Sequence, residues 1–443
     1  MNETLALGID IGTTTISAAV ISFSQKSLVE SFNIAGGGFA HSDVSGAKEQ
    51  NAKEISEKIS SLLESILKKY KHVDVIGFTG QMHGIVYCDE NGEAVSNLAT
   101  WQDGRADASL CGEILEKTGH KVSPGFGLAT HCYNQKNGLV PKDAASLCTI
   151  MDYAAMKLCG IKRPIIHSTN AHSLGFFDID KNDFDKESLK KLGVDVSLLP
   201  TVTAESRIIG DFRGIPVAVA IGDSQAAFFG AVKDEENSAL ANYGTGSQIA
   251  CVVNSPTKTN KTECRPYVDG KYLLCGSALC GGRAYAILEG FFRAFAKELN
   301  GDGESCYAIL NRMAETALAN GAKPLDVSTK FSGERGNPNV RGSVLGISEE
   351  NFTPEALTLG VLYGMAKELE EMYREMGAKR KNLITSGNAA RKNPAFLEVL
   401  TDVFGMEVTL TSGKEEAATG TALFALLSSG KAKSINEVKE LIG

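Results

Sequence analysis

Residues 8–15 read GIDIGTTT, flanked by the apolar runs LAL at 5–7 and ISAAVI at 16–21. An apolar strand that carries Asp10 and then breaks into Gly12, Thr13, Thr14 and Thr15 has two accounts. Asp, Gly and Thr are ordinary turn residues, so the segment can be a hairpin and nothing more. Alternatively the turn holds a ligand, because glycine lets backbone N–H groups approach closely and threonine hydroxyls add donors. A second turn of related composition, Gly244-Thr245-Gly246-Ser247, follows the apolar run SALANY at 238–243. Two such turns across a cleft would clasp a polyphosphate. Asp10 beside phosphates then makes sense as a magnesium site, held through water because Mg²⁺ keeps much of its hydration. Two unrelated hairpins remain the alternative.

The chain is long enough for two or three domains, at 443 residues. With 43% hydrophobic and 22% charged residues it has the balance of a soluble globular protein. A net charge of −8 argues against a broad nucleic-acid or anionic-membrane surface, so any phosphate must be held locally. No apolar run approaches the ~20 residues of a membrane span. The start, MNETLALGID, lacks the basic and apolar regions of a signal peptide. Ten scattered cysteines without a C-x-x-C pair read as reduced thiols, which points to the cytoplasm. A zinc site at Cys275 and Cys280 would need two further ligands.

Strands and helices alternate along the chain. LALGIDIG and TISAAVIS form a hairpin. Residues 48–70 place Ile55, Ile59, Leu62, Leu63, Ile66, Leu67 and Tyr70 on one helical face. VDVIGFTG is a buried strand, and IPVAVAIGD is another, ending at Asp223 before a helix in SQAAFFGAV. GIVYCDENGEAVSN reads as a hairpin turning at Asn91-Gly92. The second half repeats the theme with SALANYGTGSQIACVV, the strand YLLCGSAL and a helix over GGRAYAILEGFFRAFAKEL. A longer helix starts after a Thr353 cap with Pro354 at its first position. The pattern predicts an α/β protein of two similar domains, 1–234 and 235–443, with mixed sheets flanked by helices and a catalytic cleft between them.

No G-x-x-x-x-G-K-[ST] is present, no G-x-G-x-x-G opens a helix in a βαβ unit, and the protein-kinase H-R-D and D-F-G motifs are missing. Gln81, Met82 and His83 follow a buried strand, where α/β folds present functional loops. Gln and His donate and accept hydrogen bonds, as polyol recognition requires. Trp101, the single tryptophan, either covers a sugar face with Gln102, Asp103 and Arg105 nearby, or is a core aromatic ahead of an Asp103-Gly104 turn. Asp223 is either a helix cap or a reactive carboxylate. His167, Asn170 and His172 share a polar stretch, and Asn170 and His172 are secondary sugar candidates.

Six segments, taken in order, resemble the FGGY family of carbohydrate kinases within the actin-like, ribonuclease-H-like ATPases. They are GFTGQMHGIVY (77–87), TWQDGRA (100–106), AIGDSQAAFFGAV (220–232), NYGTGSQ (242–248), FSGERGNPNVRGSVLGI (331–347) and SGNAARKNP (386–394). Sedoheptulokinases are the most similar members. The resemblance implies two ribonuclease-H-like domains and transfer of the ATP γ-phosphoryl group to a primary hydroxyl of a ketose. It implies Asp223 as catalytic base, and Gln81, Met82, His83, Trp101, Gln102 and Asp103 at the sugar. Asp10 would hold Mg²⁺. Gly12, Thr13, Thr14, Thr15, Gly244, Thr245, Gly246 and Ser247 would hold the phosphates. Gly282, at a helix start, and Gly387, Asn388 and Arg391, in a strand-to-helix loop, would face the adenosine. Ser386 departs from the family's glycine-richer loop. Xylulokinase is the alternative within the family, and a catalytically inactive sugar sensor is the alternative outside enzymes. The expected partners are a sugar and a nucleotide, in a monomer or homodimer.

Overall fold

A computed structural model describes residues 3–300, 303–335, 337, 339–411, 413 and 415–442. Gly336 and Pro338, within the FSGERGNPNVRGSVLGI segment, lie outside the described residues. Two compact units form. One comprises Met1–Lys233, Arg265–Lys271 and Gly413–Gly443; the other comprises Asp234–Cys264 and Tyr272–Ser412.

In the first unit β1 (Leu5–Ile11) and β2 (Thr15–Ser22) make the expected antiparallel hairpin, with Asp10 opposite Ser17. β3 (Ser27–Ala35) extends it. Helix α1 (Ala52–Lys69) starts at Asn51, whose side chain accepts the N–H groups of Lys53 and Glu54. Its Ile55, Ile59, Leu62, Leu63 and Ile66 are buried, as a 3.6-residue period requires. β4 (Val75–Gly80) runs parallel to β1 and is buried throughout, which explains its unbroken apolar run. A second core around Tyr87, Leu128, Leu147, Ile166 and Phe176 forms between β4 and the next sheet strand. It includes α2 (Gly127–Lys136), while α3 (Ile150–Cys159) packs into the main sheet's core and α4 (Ser168–Ser173) follows. The GIVYCDENGEAVSN segment turns at Gly92, but its strand Val86–Cys88 pairs chiefly with Ser146–Cys148. β5 (Ile208–Phe212) and β6 (Ile215–Ala218) complete a sheet of order β5-β6-β4-β1-β2-β3. Beyond Ala218 the chain stays extended, held by the Ile221 N–H to the Phe78 carbonyl at 3.0 Å, and enters α5 (Asp223–Ala231).

The second unit repeats this plan. Its strands are β7 (Ser238–Tyr243), β8 (Ser247–Val253), β9 (Thr262–Pro266), β10 (Tyr272–Ala278), β11 (Asn382–Ser386) and β12 (Glu407–Leu410). Helices α6 (Gly282–Asn300), α7 (Pro354–Glu375) and α8 (Pro394–Phe404) complete it. Thr353 caps α7, accepting the Ala356 N–H at 3.1 Å. The sheet order is β9-β10-β8-β7-β11-β12. β10-β8-β7-β11-β12 matches β3-β2-β1-β4-β6 in order and in sense, two antiparallel contacts and then two parallel ones. The likeness of the two Gly-Thr turns is therefore part of a repeated ribonuclease-H-like topology.

The chain then returns to the first unit as α9 (Glu416–Ser428), which lies on β1 and against α5. Glycines allow that approach. A Cβ on Gly420 would run into the Ala226 carbonyl. No helix among the described residues is long and apolar enough to cross a membrane.

Candidate active site

Asp10 sits one residue from the end of β1, with Thr79 of β4 and Ser17 of β2 as its neighbours across the sheet. Burial pushes its carboxyl up to about 7, and the negative charges of Asp223 and Glu415 push in the same direction. Glu415 stands at the cap position of α9 and accepts a hydrogen bond from the Asn33 amide at 3.0 Å. Three acidic groups so placed leave negative charge that a divalent cation would neutralise. Among the described residues no three His, Cys, Asp or Glu side chains form a metal cage. A carboxylate oxygen is a hard donor, so the Asp10 side chain has the chemistry to hold a hard cation that keeps much of its water.

The first Gly-Thr turn is tied to both predicted sugar segments through one residue. The Trp101 indole N–H donates to the Thr13 hydroxyl at 3.0 Å, and that hydroxyl donates to the Gln81 carbonyl oxygen at 3.3 Å. The Gln81 amide donates to Gln50 at 2.8 Å, and the Gln50 amide donates to the Thr13 backbone carbonyl at 2.9 Å. Thr13, Gln81 and Trp101 are thereby brought together from three places in the chain. Trp101 is 48% exposed, so the core-aromatic account does not hold. Thr14, Thr15 and Gln102 are exposed, and Gly12 is half-buried.

Asp103 is placed differently. It is 1% exposed, and its oxygens accept from the Arg105 guanidinium at 2.8 Å and the Lys48 N–H at 2.9 Å. Arg105 also pairs with Glu49 and donates to Asn134 at 3.0 Å. The Asp-Gly-Arg spacing lets the arginine fold back on the carboxylate two residues earlier, so this pair braces the Trp101 loop from inside. His83 has φ +73° and is held by two bonds to Ser173. Its Nδ1 lies 2.7 Å from the Ser173 carbonyl, which can only accept, so Nδ1 carries the proton. The ring stacks on Phe126 at 4.7 Å.

Asp223 is the first residue of α5, and Gly222 takes the cap position, which replaces the cap account of this aspartate. Burial raises its carboxyl to about 6, against the opposing pull of Arg265 and the Ser224 N–H. The preceding loop is pinned from three sides. The Thr79 hydroxyl donates to the Ile221 carbonyl at 2.7 Å, and the Gly222 N–H donates to the Thr169 hydroxyl at 3.0 Å. The Asn170 amide donates to the Ala220 carbonyl at 3.2 Å. Asn170 is thus a buried prop beneath the loop, and His172 packs edge-on against Phe177 at 5.9 Å. Met82 is buried, with its sulfur 3.7 Å from the Ser224 hydroxyl.

In the second unit the turn Gly244–Ser247 is stapled to the start of α6. The Gly281 N–H donates to the Thr245 carbonyl at 3.0 Å and the Gly282 N–H to the Gly244 carbonyl at 2.7 Å. Gly387, at φ +93°, lies so close to β7 that a Cβ would meet the Tyr243 carbonyl. The turn, Gly282 and Gly387 therefore converge, with Thr245 and Asn388 exposed beside them. Arg391 is turned to the end of β12, donating to the Thr411 carbonyl at 2.9 Å. Sequence reasoning missed Gln50, Arg265 and Glu415, whose partners lie far along the chain and carry no motif.

Comparison with known proteins covers both halves. The N-terminal domain of the FGGY family of carbohydrate kinases matches residues 5–241 and the C-terminal domain matches residues 239–429. The sedoheptulokinase of Mus musculus is 28% identical over 471 residues, covering 95% of this chain and 97% of that protein. A gluconokinase of Bacillus subtilis (strain 168) is 24% identical, covering 99% and 90%. The crystal structure of gluconate kinase from Lactobacillus acidophilus superposes with a TM-score of 0.85 at 18% identity, over 100% of this chain and 92% of that one. Plasmodium falciparum glycerol kinase with ADP gives 0.83 at 21% identity, over 99% and 92%. The chain belongs to the FGGY family of carbohydrate kinases and is an ATP-dependent phosphotransferase acting on a sugar hydroxyl.

Proposed function

We propose that the sugar is a ketose phosphorylated at its terminal primary hydroxyl, with sedoheptulose the first choice and sedoheptulose 7-phosphate the product. Supporting this are the similarity to sedoheptulokinases over nearly the whole chain and the WQDGR segment around Trp101. The single observation that carries the site is Thr13, one hydroxyl joining the phosphate turn to Gln81 and Trp101. The sugar lies against the exposed Trp101 and Gln102, with Gln81 and His83 bonding its hydroxyls. Met82 acts by packing near Ser224, and Asp103 acts by holding the loop.

Asp223 orients the primary hydroxyl and accepts its proton as the oxygen attacks the γ-phosphorus. The bond from that phosphorus to the bridging oxygen breaks, and ADP leaves. Such transition states are loose, so positioning and charge neutralisation matter most. Mg²⁺, held by Asp10 and water, would supply positive charge at the phosphates. Gly12, Thr13, Thr14 and Thr15 present amides and hydroxyls to the phosphates, as do Gly244, Thr245, Gly246 and Ser247. Gly282, Gly387 and Asn388 flank the adenosine, and Arg391 braces their loop through Thr411. The test is ADP release with MgATP and a panel of sedoheptulose, D-xylulose, gluconate and glycerol. Fastest release with sedoheptulose is expected. Preference for D-xylulose or gluconate would replace the sugar assignment.

A further inference from the structure

We propose that Arg265 is a positioning residue of the phosphoryl transfer, fixing Ser224 and the Asp223 carboxylate at the start of α5 in their reacting arrangement. The proposal rests on the reading of Asp223 as the base.

Arg265 is 4% exposed, and a guanidinium is costly to bury unless it is paired and hydrogen-bonded. Here it donates through Nη1 to the Ser224 hydroxyl at 3.0 Å. That hydroxyl donates to the Gln225 side-chain oxygen at 3.0 Å, and the Gln225 amide donates to the Pro266 carbonyl at 3.0 Å. The bonds close a ring from Arg265 through α5 and back to the residue beside it. Tyr267 seals the segment, packing edge-on against Phe228 at 5.8 Å and Phe229 at 6.3 Å, one turn further along the helix. The first two turns of α5 are therefore clamped by Arg265–Tyr267, which begins in the last two residues of β9 and counts with the first unit.

The charges around Asp223 give the arginine its second task. Burial disfavours the ionised Asp223 carboxylate. Arg265 and the N–H of Ser224 oppose that effect. Without the guanidinium the base would be protonated over more of the neutral range, and the Ser224 hydroxyl beside it would lose its donor.

The test compares R265Q, R265K and S224A with the parent, using MgATP and whichever panel sugar is turned over fastest. For R265Q, kcat is expected to fall by about 10-fold or more, with both KM values within about 3-fold. The acid limb of its kcat/KM profile should move up by about 1 pH unit. R265K should leave that limb in place, since the charge is kept, and give intermediate turnover. S224A combined with R265K should cost less than the product of the single losses, because both act through one contact. Thermal melts establish that each variant is folded. If R265Q does not fold, the R265K limb and the S224A cycle decide. Parent-like turnover and limb in R265Q would overturn the proposal, as would equal losses in R265Q and R265K with neither limb moved. D223N keeps the two readings apart. Full activity in D223N removes the base, whereas a dead D223N beside a fully active R265Q removes only the role of Arg265.

Discussion

A carboxylate in the first turn of a helix is normally favoured as an anion, by the helix dipole and by nearby N–H groups. At Asp223 the Ser224 N–H and Arg265 act in that direction, yet burial carries the group up to about 6. It is then ionised at neutral pH and still basic enough to take a proton from a hydroxyl. D223N should keep sugar KM within a few-fold and lower kcat by about 10²–10⁴-fold. In the parent, kcat/KM should fall as pH drops below about 6, because the protonated carboxyl cannot accept. A flat profile from pH 8 to 5 would remove this aspartate from the proton transfer. Asp152 offers a stability counterpart. It is buried beside Thr149 and Asn170, and burial raises it from 3.8 to about 7. The folded chain keeps that proton where the unfolded chain loses it, so the contribution to stability is full below pH 3.8 and is lost as pH rises to about 7. Asn at this position does not titrate. The stability of D152N relative to the parent should therefore increase from pH 5 to pH 8 by a few kcal/mol, at about 1.4 kcal/mol per unit. Urea melts at the two pH values measure it, and an unchanged difference would contradict the assignment.

At the scale of elements, helix α5, which begins at Asp223, owes its place to a close crossing with α9. Gly230 and Gly420 face one another there, and a Cβ on Gly420 would enter the Ala226 carbonyl. G420V must push the helices apart, with an overpacking cost of about 1–3 kcal/mol or more. Melting temperature should drop by several degrees, and kcat should fall, because the Ala226 carbonyl that the new side chain meets lies within one turn of Asp223. Parent-like melting would show that the crossing has slack. The elements themselves were largely legible. Period-2 and unbroken apolar runs gave β1, β2 and β4; a 3.6 period gave α1; Thr353-Pro354 marked the start of α7. Residues in turns at strand ends, such as Thr13, Gln81 and Trp101, could be picked out because α/β folds place functional loops there. Side-chain direction was not legible. Asp103 reads as an outward polar residue until Arg105 and Lys48 are seen to consume both its oxygens. Arg265 reaches Ser224 across 41 positions and Asn33 reaches Glu415 across 382, and no spacing rule spans such distances.

The molecule as a whole shows where pattern stops and topology takes over. The two halves open alike in sequence because they share one strand order and sense, so the duplication could be read from two turns. Helix α9 could not be assigned in the same way. The run EAATGTALFALLS is apolar on every side, which marks a buried helix but names no neighbour. It packs on β1 and β4 and against α5, in the unit built from the other end of the chain. Its Leu423, Phe424 and Leu426 are fully buried there. Each such side chain is worth about 1.5–3 kcal/mol, so removing the helix withdraws about 5–9 kcal/mol, against a typical total of about 5–15. A chain ending at Thr411 should therefore lose the first unit selectively. Hydrogen exchange should show β1, β2 and β4 unprotected while β7, β8 and β11 keep their protection, since the strands of the second unit and the helices α6 to α8 all precede the cut. Adding a synthetic peptide of residues 413–443 should restore protection in β1 and β4 and, with it, turnover. Protection of β1 in the shortened chain equal to that of the full chain would mean that α9 only rests on the sheet, and the crossing at Gly420 would lose its claim on the position of Asp223.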